Sequence, residues 1–175
     1  ANALELPFSD DEFDAVCCQF GVMFFPDRVA GYREARRVLK PGGKFVFNVW
    51  DQIGQNVFAD DVTNALKGVF PDDPPLFLAR TPHGYHDVNL IQRELVQAGF
   101  KNIDVETREE ISRAPSPRNP AIAYCQGTPL RNEIEARDAN GLDAVTDHAA
   151  SLIAQKHGEG EVAAKIQGHV VIAVA

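Results

Sequence analysis

Ala15-Val16-Cys17-Cys18-Gln19-Phe20, then Asp27 through Lys40, then Lys44-Phe45-Val46-Phe47-Asn48-Val49-Trp50 is the stretch that decides the fold. The first piece is an unbroken apolar run, which predicts a strand covered on both faces, as in a parallel sheet packed between helices, and therefore a central one. Phe25-Pro26-Asp27 breaks it, and Asp27 is placed to cap a helix whose Val29, Tyr32, Val38 and Leu39 share a face while Arg28, Arg33, Glu34 and Arg37 point to water. Lys40-Pro41-Gly42-Gly43 ends that helix as a turn, and Lys44–Trp50 is a second strand. Strand, helix and parallel strand in this order make half of a doubly wound α/β sheet.

Outward from that unit the texture changes. Residues 51–86 are short apolar pieces broken by Pro71, Pro74, Pro75 and Pro82, with one helix near Phe58–Val69, and read as a cap or lid. Asp87 caps a helix that Gly99 ends after Ala98, and Lys101–Ile111 alternates as a strand with Ile103, Val105 and Thr107 on one face. Pro115, Pro117 and Pro120 open an Ala-rich helical stretch to about Lys165, within which Asp138–Gly160 is polar enough for a mobile helical hairpin. Gly168–Ala175 closes the chain as an apolar strand that inserts into the sheet.

The 175 residues carry 17 Lys+Arg against 25 Asp+Glu, a formal charge of -8, with 45% apolar residues. An acidic chain without a basic cluster is unsuited to neutralising phosphates, so nucleic acid is not the expected partner. The three Cys lack C-x-x-C spacing and suggest neither a disulfide framework nor a zinc site. Ala15–Phe25, the longest apolar stretch at 11 residues, is far below the roughly 18 needed to span a bilayer. No signal peptide is recognisable at the start, and a reducing cytoplasm is the default.

Four pieces taken together, Asn2-Ala3-Leu4-Glu5-Leu6-Pro7-Phe8, Phe13-Asp14-Ala15-Val16, Gln19-Phe20-Gly21 and Arg37-Val38-Leu39-Lys40-Pro41-Gly42-Gly43, resemble the class I S-adenosylmethionine-dependent methyltransferases. The likeness is to the ubiquinone/menaquinone-biosynthesis-like branch of small-molecule enzymes, and Ala98-Gly99-Phe100 adds that family's late turn. The resemblance implies a Rossmann-like doubly wound sheet with helical lid insertions, S-adenosylmethionine as cofactor and methyl transfer to a small organic acceptor. The family's glycine-rich loop and the acidic end of its second strand have no counterpart here. The chain is therefore expected to be the carboxyl-terminal part of the fold, a fragment that can be inactive by itself, from a protein roughly 80–100 residues longer. On this reading residues 1–175 form a single partial domain with its core at 1–50, 87–111 and 166–175 and its insertions at 51–86 and 112–165. Missing strands would leave the edge of the Ala15 strand unpaired and invite a homodimer across it.

The resemblance places adenine recognition at Asn2 and Ala3, with Leu4 and Phe8 as walls; equally, Asn2 could make only a turn and the apolar pair only core. Cys18, Gln19 and Phe20 fall at the strand's carboxyl end, where open parallel sheets bind ligands. Gln19 is the best polar candidate there, against a Gln satisfied by backbone, while Cys17 and Cys18 read as packing. Trp50, Phe58 and Tyr85 could frame the acceptor, with His86 as the candidate base because imidazole exchanges protons near neutrality; a surface histidine is the plain alternative, and the other four histidines stand no higher. Pro41-Gly42-Gly43 precedes a strand instead of a helix and is no phosphate loop. Asp10–Asp14 is a solvated turn, and no His/Asp/Glu set has metal-ligand spacing. A non-enzymatic α/β module that binds a small apolar ligand or a protein through residues 51–165 is the alternative function.

Overall fold

The computed structural model describes residues 2–175. The chain forms β1 (Phe13–Gln19), α1 (Arg28–Val38), β2 (Leu39–Trp50), α2 (Val57–Val69), α3 (Phe77–Arg80), α4 (Val88–Gln97), β3 (Lys101–Ala114), α5 (Arg118–Cys125), α6 (Leu130–Glu135), α7 (Leu142–His157) and β4 (Val162–Val174). The sheet order is β1-β2-β4-β3, with β1 parallel to β2 and β4 antiparallel to β2. The α/β class and the insertion of the last strand follow the sequence reading.

Two compact units divide the chain. The first takes the residues up to Asp51, Tyr85–Arg108 and Gly168–Ala175; the second takes Gln52–Gly84 and Glu109–Gln167. In the first unit Phe45, Phe47 and Val49 of β2 and Val171 and Ala173 of β4 form one buried sheet face, packed with Tyr32 and Ala35 of α1 and Ile91 and Leu95 of α4. Asp27 caps α1 by accepting from the Ala30 N–H at 2.9 Å, and Asp87 caps α4 through the Asn89 N–H. Gly99, at φ +96°, ends the latter helix in a conformation that glycine adopts without strain.

Three expectations are corrected here. β1 is not covered on both faces: no residue in it is buried, and among the described strands only β2 pairs with it. Its apolar run faces a sheet whose opposite surface, at Val46, Asn48 and Trp50, is only half-buried, and periodicity alone cannot tell a strand sandwiched by helices from an open-faced one. Lys40-Pro41-Gly42-Gly43 does not precede β2 but lies inside it. The register jumps from Phe13↔Leu39 to Ala15↔Lys44, so the four residues bulge out of the ladder. Gly42 takes φ +81° there, and a Cβ on Gly43 would lie 2.9 Å from the Lys40 carbonyl oxygen. Finally, Asp27 does cap a helix, but Arg28, Glu34 and Arg37 are not water-facing charges; they pair inside the first unit, as described below.

The second unit has its own core. Phe58, Val62 and Leu66 of α2 pack with Ala121 and Cys125 of α5 and Val145, Ala149 and Ile153 of α7. Asp138–Gly160 is no hairpin: α7 is one helix of 16 residues whose Val145, Ala149 and Ile153 repeat every four residues on a buried stripe. Its polar appearance comes from the exposed faces between those positions, and Gly158 at φ +96° stops it. β4 starts at Val162, earlier than the Gly168 that composition suggested.

Candidate functional site

The parallel strands β1 and β2 end side by side, with Gln19 in register with Asn48. Immediately beyond, Phe20 has φ +47°, a left-handed conformation that costs a non-glycine residue roughly 1–2 kcal/mol. Two contacts hold it there: its N–H donates to Asn48 Oδ1 at 2.9 Å, and its ring stacks on Trp50 with centroids 3.9 Å apart and planes 15° from parallel. Backbone strain of this sort is concentrated at ligand sites. Below the lip, Cys17, Cys18, Gln19, Val46, Asn48 and Val170 line a shallow recess of about 200 Å³. That is smaller than the roughly 300–1,000 Å³ of a complete small-molecule site, and fits part of a ligand. Burial pushes the Cys18 thiol pKa up, keeping it neutral.

The segment carrying the candidate adenine residues is clipped onto α1. Glu34 accepts from the Leu6 N–H at 2.9 Å, while Arg37 donates to the carbonyls of Leu6 and Phe8 and to Asp10 Oδ1. Glu34 and Arg37 also pair with each other at 2.9 Å. The Arg37 guanidinium, helped by the Leu6 N–H, holds the Glu34 carboxyl down at about 2. Within the clipped segment Asn2 Oδ1 accepts from the Leu4 N–H at 3.0 Å and the Asn2 carbonyl accepts from the Glu5 N–H, so Asn2 builds a turn. Leu4 packs near Gly31, and Phe8 meets Phe13 edge-on at 5.0 Å.

Of the proposed acceptor residues, the structure brings only Trp50 to the lip. Phe58 is buried in the core of the second unit, edge-on to His157. Tyr85 is 4% exposed, and its hydroxyl donates to Glu94 Oε2 at 2.5 Å and shares a 3.0 Å hydrogen bond with the Tyr32 hydroxyl. Arg28 lies over the Tyr85 ring at 4.2 Å and pairs with Glu94 at 3.0 Å. Burial raises both tyrosine pKa values, so this cluster ties α1 to α4 and presents no phenol outward. His86 is half-buried beside it.

One constellation near the carboxyl end of β2 escaped the sequence reading. His169 of β4 is 5% exposed; its Nδ1 lies 2.9 Å from Thr107 Oγ1 of β3 and its Nε2 lies 3.4 Å from Asp51 Oδ1, just past β2. A signal was available: period two along β4 puts His169 in the same buried row as Val171 and Ala173.

A parallel β1–β2 pair with α1 between them, extended by an antiparallel β4 and flanked by β3, is a mixed α/β sheet of the Rossmann-like kind. A solved structure from Bacillus halodurans assigned to the methyltransferases superposes with a TM-score of 0.55 at 16% identity, covering 99% of this chain and 69% of that one. The YcgJ protein of Bacillus subtilis gives 0.50 at 16% identity over 98% and 68%.

Sequence comparison narrows the class. Residues 1–47 match a family model for a methyltransferase domain. The chain is 34% identical over 115 residues to a demethylmenaquinone methyltransferase of Staphylococcus saprophyticus, covering 61% of this chain and 49% of the relative. It is 32% identical over 111 residues to one of Corynebacterium kroppenstedtii, covering 58% and 48%. The chain thus spans about half the length of the curated relatives it matches. The resemblance to class I methyltransferases of the menaquinone-biosynthesis-like branch, read from Asn2–Phe8 and Arg37–Gly43, is borne out.

Proposed function

We propose that this chain contributes the carboxyl-side half of a site for S-adenosylmethionine-dependent methyl transfer to a small organic acceptor, of the quinone class that the relatives' name, demethylmenaquinone methyltransferase, specifies. The observation that carries this is the match of residues 1–47 to a methyltransferase domain, because those residues build the clipped Asn2–Phe8 segment, the Phe20 lip and the strand register between them. S-adenosylmethionine, when bound, supplies a methyl group activated by its sulfonium charge, and the protein's task is then alignment and exclusion of water.

In this reading Asn2, Ala3 and Leu4 face the adenine, the first two through the turn's backbone and amide. Cys18, Gln19 and Phe20 border the remainder of the cofactor, and Phe20 turns the chain so that Gln19 is exposed at the recess. Trp50 gives the acceptor a flat aromatic wall. Tyr85 acts one layer behind, holding α4 to α1. Among the described residues no helix is long and apolar enough to cross a membrane, and the three free thiols suit a reducing cytoplasm. The outer edge of β1, unpaired by any described strand, supports association of two copies; light scattering that finds a monomer at high concentration would remove that element.

Calorimetry with S-adenosylhomocysteine tests the reading on the 175-residue chain and on any longer natural form. Micromolar binding to either supports it. No binding by both leaves the non-enzymatic module.

A further inference from the structure

Phe20 holds a left-handed backbone, φ +47°, that glycine would adopt without strain. A bulky residue stays in such a conformation only where its surroundings hold it. Here the Phe20 N–H donates to Asn48 Oδ1 at 2.9 Å, and the phenyl ring lies flat on the Trp50 indole with centroids 3.9 Å apart. The turn therefore aims a phenyl ring at the indole. Both rings are half-buried, at the rim of the core and not within it. The stack also adjoins the recess. Val46, Asn48 and Trp50 alternate onto one face of β2, and the strand register puts Cys17, Gln19 and Val170 on that same face. All of these except Trp50 line the recess, which at about 200 Å³ holds only part of a small molecule. The Phe20 ring stands where the rest of a flat ligand would lie.

We propose that the Phe20 ring is a stand-in for the acceptor: it occupies the stacking place on Trp50 that a flat, uncharged two-ring acceptor of the quinone class takes, and the acceptor binds by exchange with it. What the bound ring is used for rests on the methyl-transfer reading above. Indole presents two fused rings and a phenyl matches only one of them, so a two-ring ligand gains more contact with Trp50 than Phe20 gives up. A single ring gains little, and a saturated ring, which is not flat, gains less. Leaving the stack also removes one of the two contacts that keep the Phe20 backbone left-handed. The exchange uses only the face of Trp50 that Phe20 already covers, so every other contact of the indole stays in place. Phe20 thereby sets a threshold that only an extended flat ring passes, and it determines specificity by competing for the site. A closed stack populated to about 90% weakens the apparent affinity about tenfold.

The probe is a dimethylnaphthoquinone methylated at both open quinone carbons, so that the Cys17 and Cys18 thiols beside the recess cannot add to it. Calorimetry with the full chain should show saturable binding, accompanied by quenching of Trp50, the chain's single tryptophan. Phe20→Gly, which keeps the turn and removes the ring, should bind the probe about tenfold more tightly. Asn48→Ala, which releases the Phe20 N–H and keeps the ring, should bind it about threefold more tightly. Tetramethylbenzoquinone, with one ring, should bind the wild type more weakly than the two-ring probe and recover part of that deficit in Phe20→Gly. Weaker or unchanged binding of the two-ring probe by both variants overturns the exchange and makes Phe20 a wall. Equal wild-type affinity for the one-ring and two-ring probes overturns the threshold. Adenosine is flat as well; if it gains from Phe20→Gly and the naphthoquinone does not, the place belongs to an adenine and the proposal falls. S-adenosylhomocysteine separates this inference from the reading beneath it. If it binds the wild type while the naphthoquinone binds neither the wild type nor Phe20→Gly, the exchange is wrong and the methyl-transfer reading stands. If the naphthoquinone follows the expected pattern and S-adenosylhomocysteine does not bind, the exchange stands and the methyl-transfer reading fails.

Discussion

In the sheet-based unit a buried histidine, His169, meets the half-buried Asp51 and the exposed Thr107 near the carboxyl end of β2, and the half-buried Asn48 holds Phe20 at the lip. In the helical unit the polar contacts sit between helices: Asp61 of α2, 3% exposed, accepts from Lys156 at 2.5 Å and His157 at 2.7 Å on α7, while Glu133 of α6 accepts from the Leu76 and Phe77 N–H groups at the start of α3. The second pattern is fastening: each polar contact ties down an element that also packs through large side chains such as Phe58, Leu66, Phe77 and Ile153. The first pattern is different in kind, because strands already joined by ladders do not need an imidazole to hold them. Buried polarity that the packing does not require is the better guide to a ligand site.

Breaking the two cores should separate the units most sharply. Phe47→Ala removes a ring packed against Tyr32 and Phe45 and should cost about 3–5 kcal/mol. Urea unfolding followed by Trp50 fluorescence and by far-ultraviolet dichroism should show the first signal shifting further; equal shifts would mean the two units unfold as one. Asp61→Asn should cost about 2–3 kcal/mol, below the full penalty for opening a buried pair because Lys156 is 48% exposed in its side chain. Thermal melting of the helical signal would show it, and a loss under about 0.5 kcal/mol would show that apolar packing alone holds α2 to α7. Tyr85→Phe, which deletes the hydroxyl between Tyr32 and Glu94, should cost about 1–2 kcal/mol and leave S-adenosylhomocysteine affinity unchanged.

The smallest effect is one of pH. Glu34 has its folded pKa depressed to about 2 from an ordinary value near 4.5. Its contribution to stability is therefore complete above about pH 4.5 and is lost as pH falls toward 2. Glu34→Gln should flatten the dependence of Tm on pH in that window, and an unchanged slope would show that other carboxylates set it.

Much of the sheet-based unit was legible from local chemistry. Asp27 and Asp87 announce their helices by capping, Gly99 announces an end, and Lys44–Trp50 can be nothing but a strand. What stayed hidden is non-local. That the faces of β1 stay uncovered depends on what packs against them, and no property of Ala15–Phe20 encodes that. Val145, Ala149 and Ile153 were masked by the polar residues between them, since a stripe one residue wide carries little average hydrophobicity. The candidate site divides the same way. Phe20 and Trp50 were visible as aromatics at strand ends, and their stacking bears on both. Tyr85 and Phe58 were equally visible, but long-range packing turned both inward. His169 was passed over because it was weighed as a lone histidine instead of as a member of a β4 row with partners 62 residues away on β3 and on the far side of β2.

The clip of Glu34 and Arg37 on the Leu6–Asp10 segment makes that segment answer to electrolyte. Carboxylates and a guanidinium near the surface feel dissolved ions, and the screening length shrinks from about 10 Å at 0.1 M salt to about 3 Å at 1 M. The β1–β2 ladder is indifferent to such a change. Raising ionic strength thus loosens the first residues of the chain from α1 while leaving the strands in register, so the mooring of the Leu6–Asp10 segment can be tuned from solution without touching the ladder beside it.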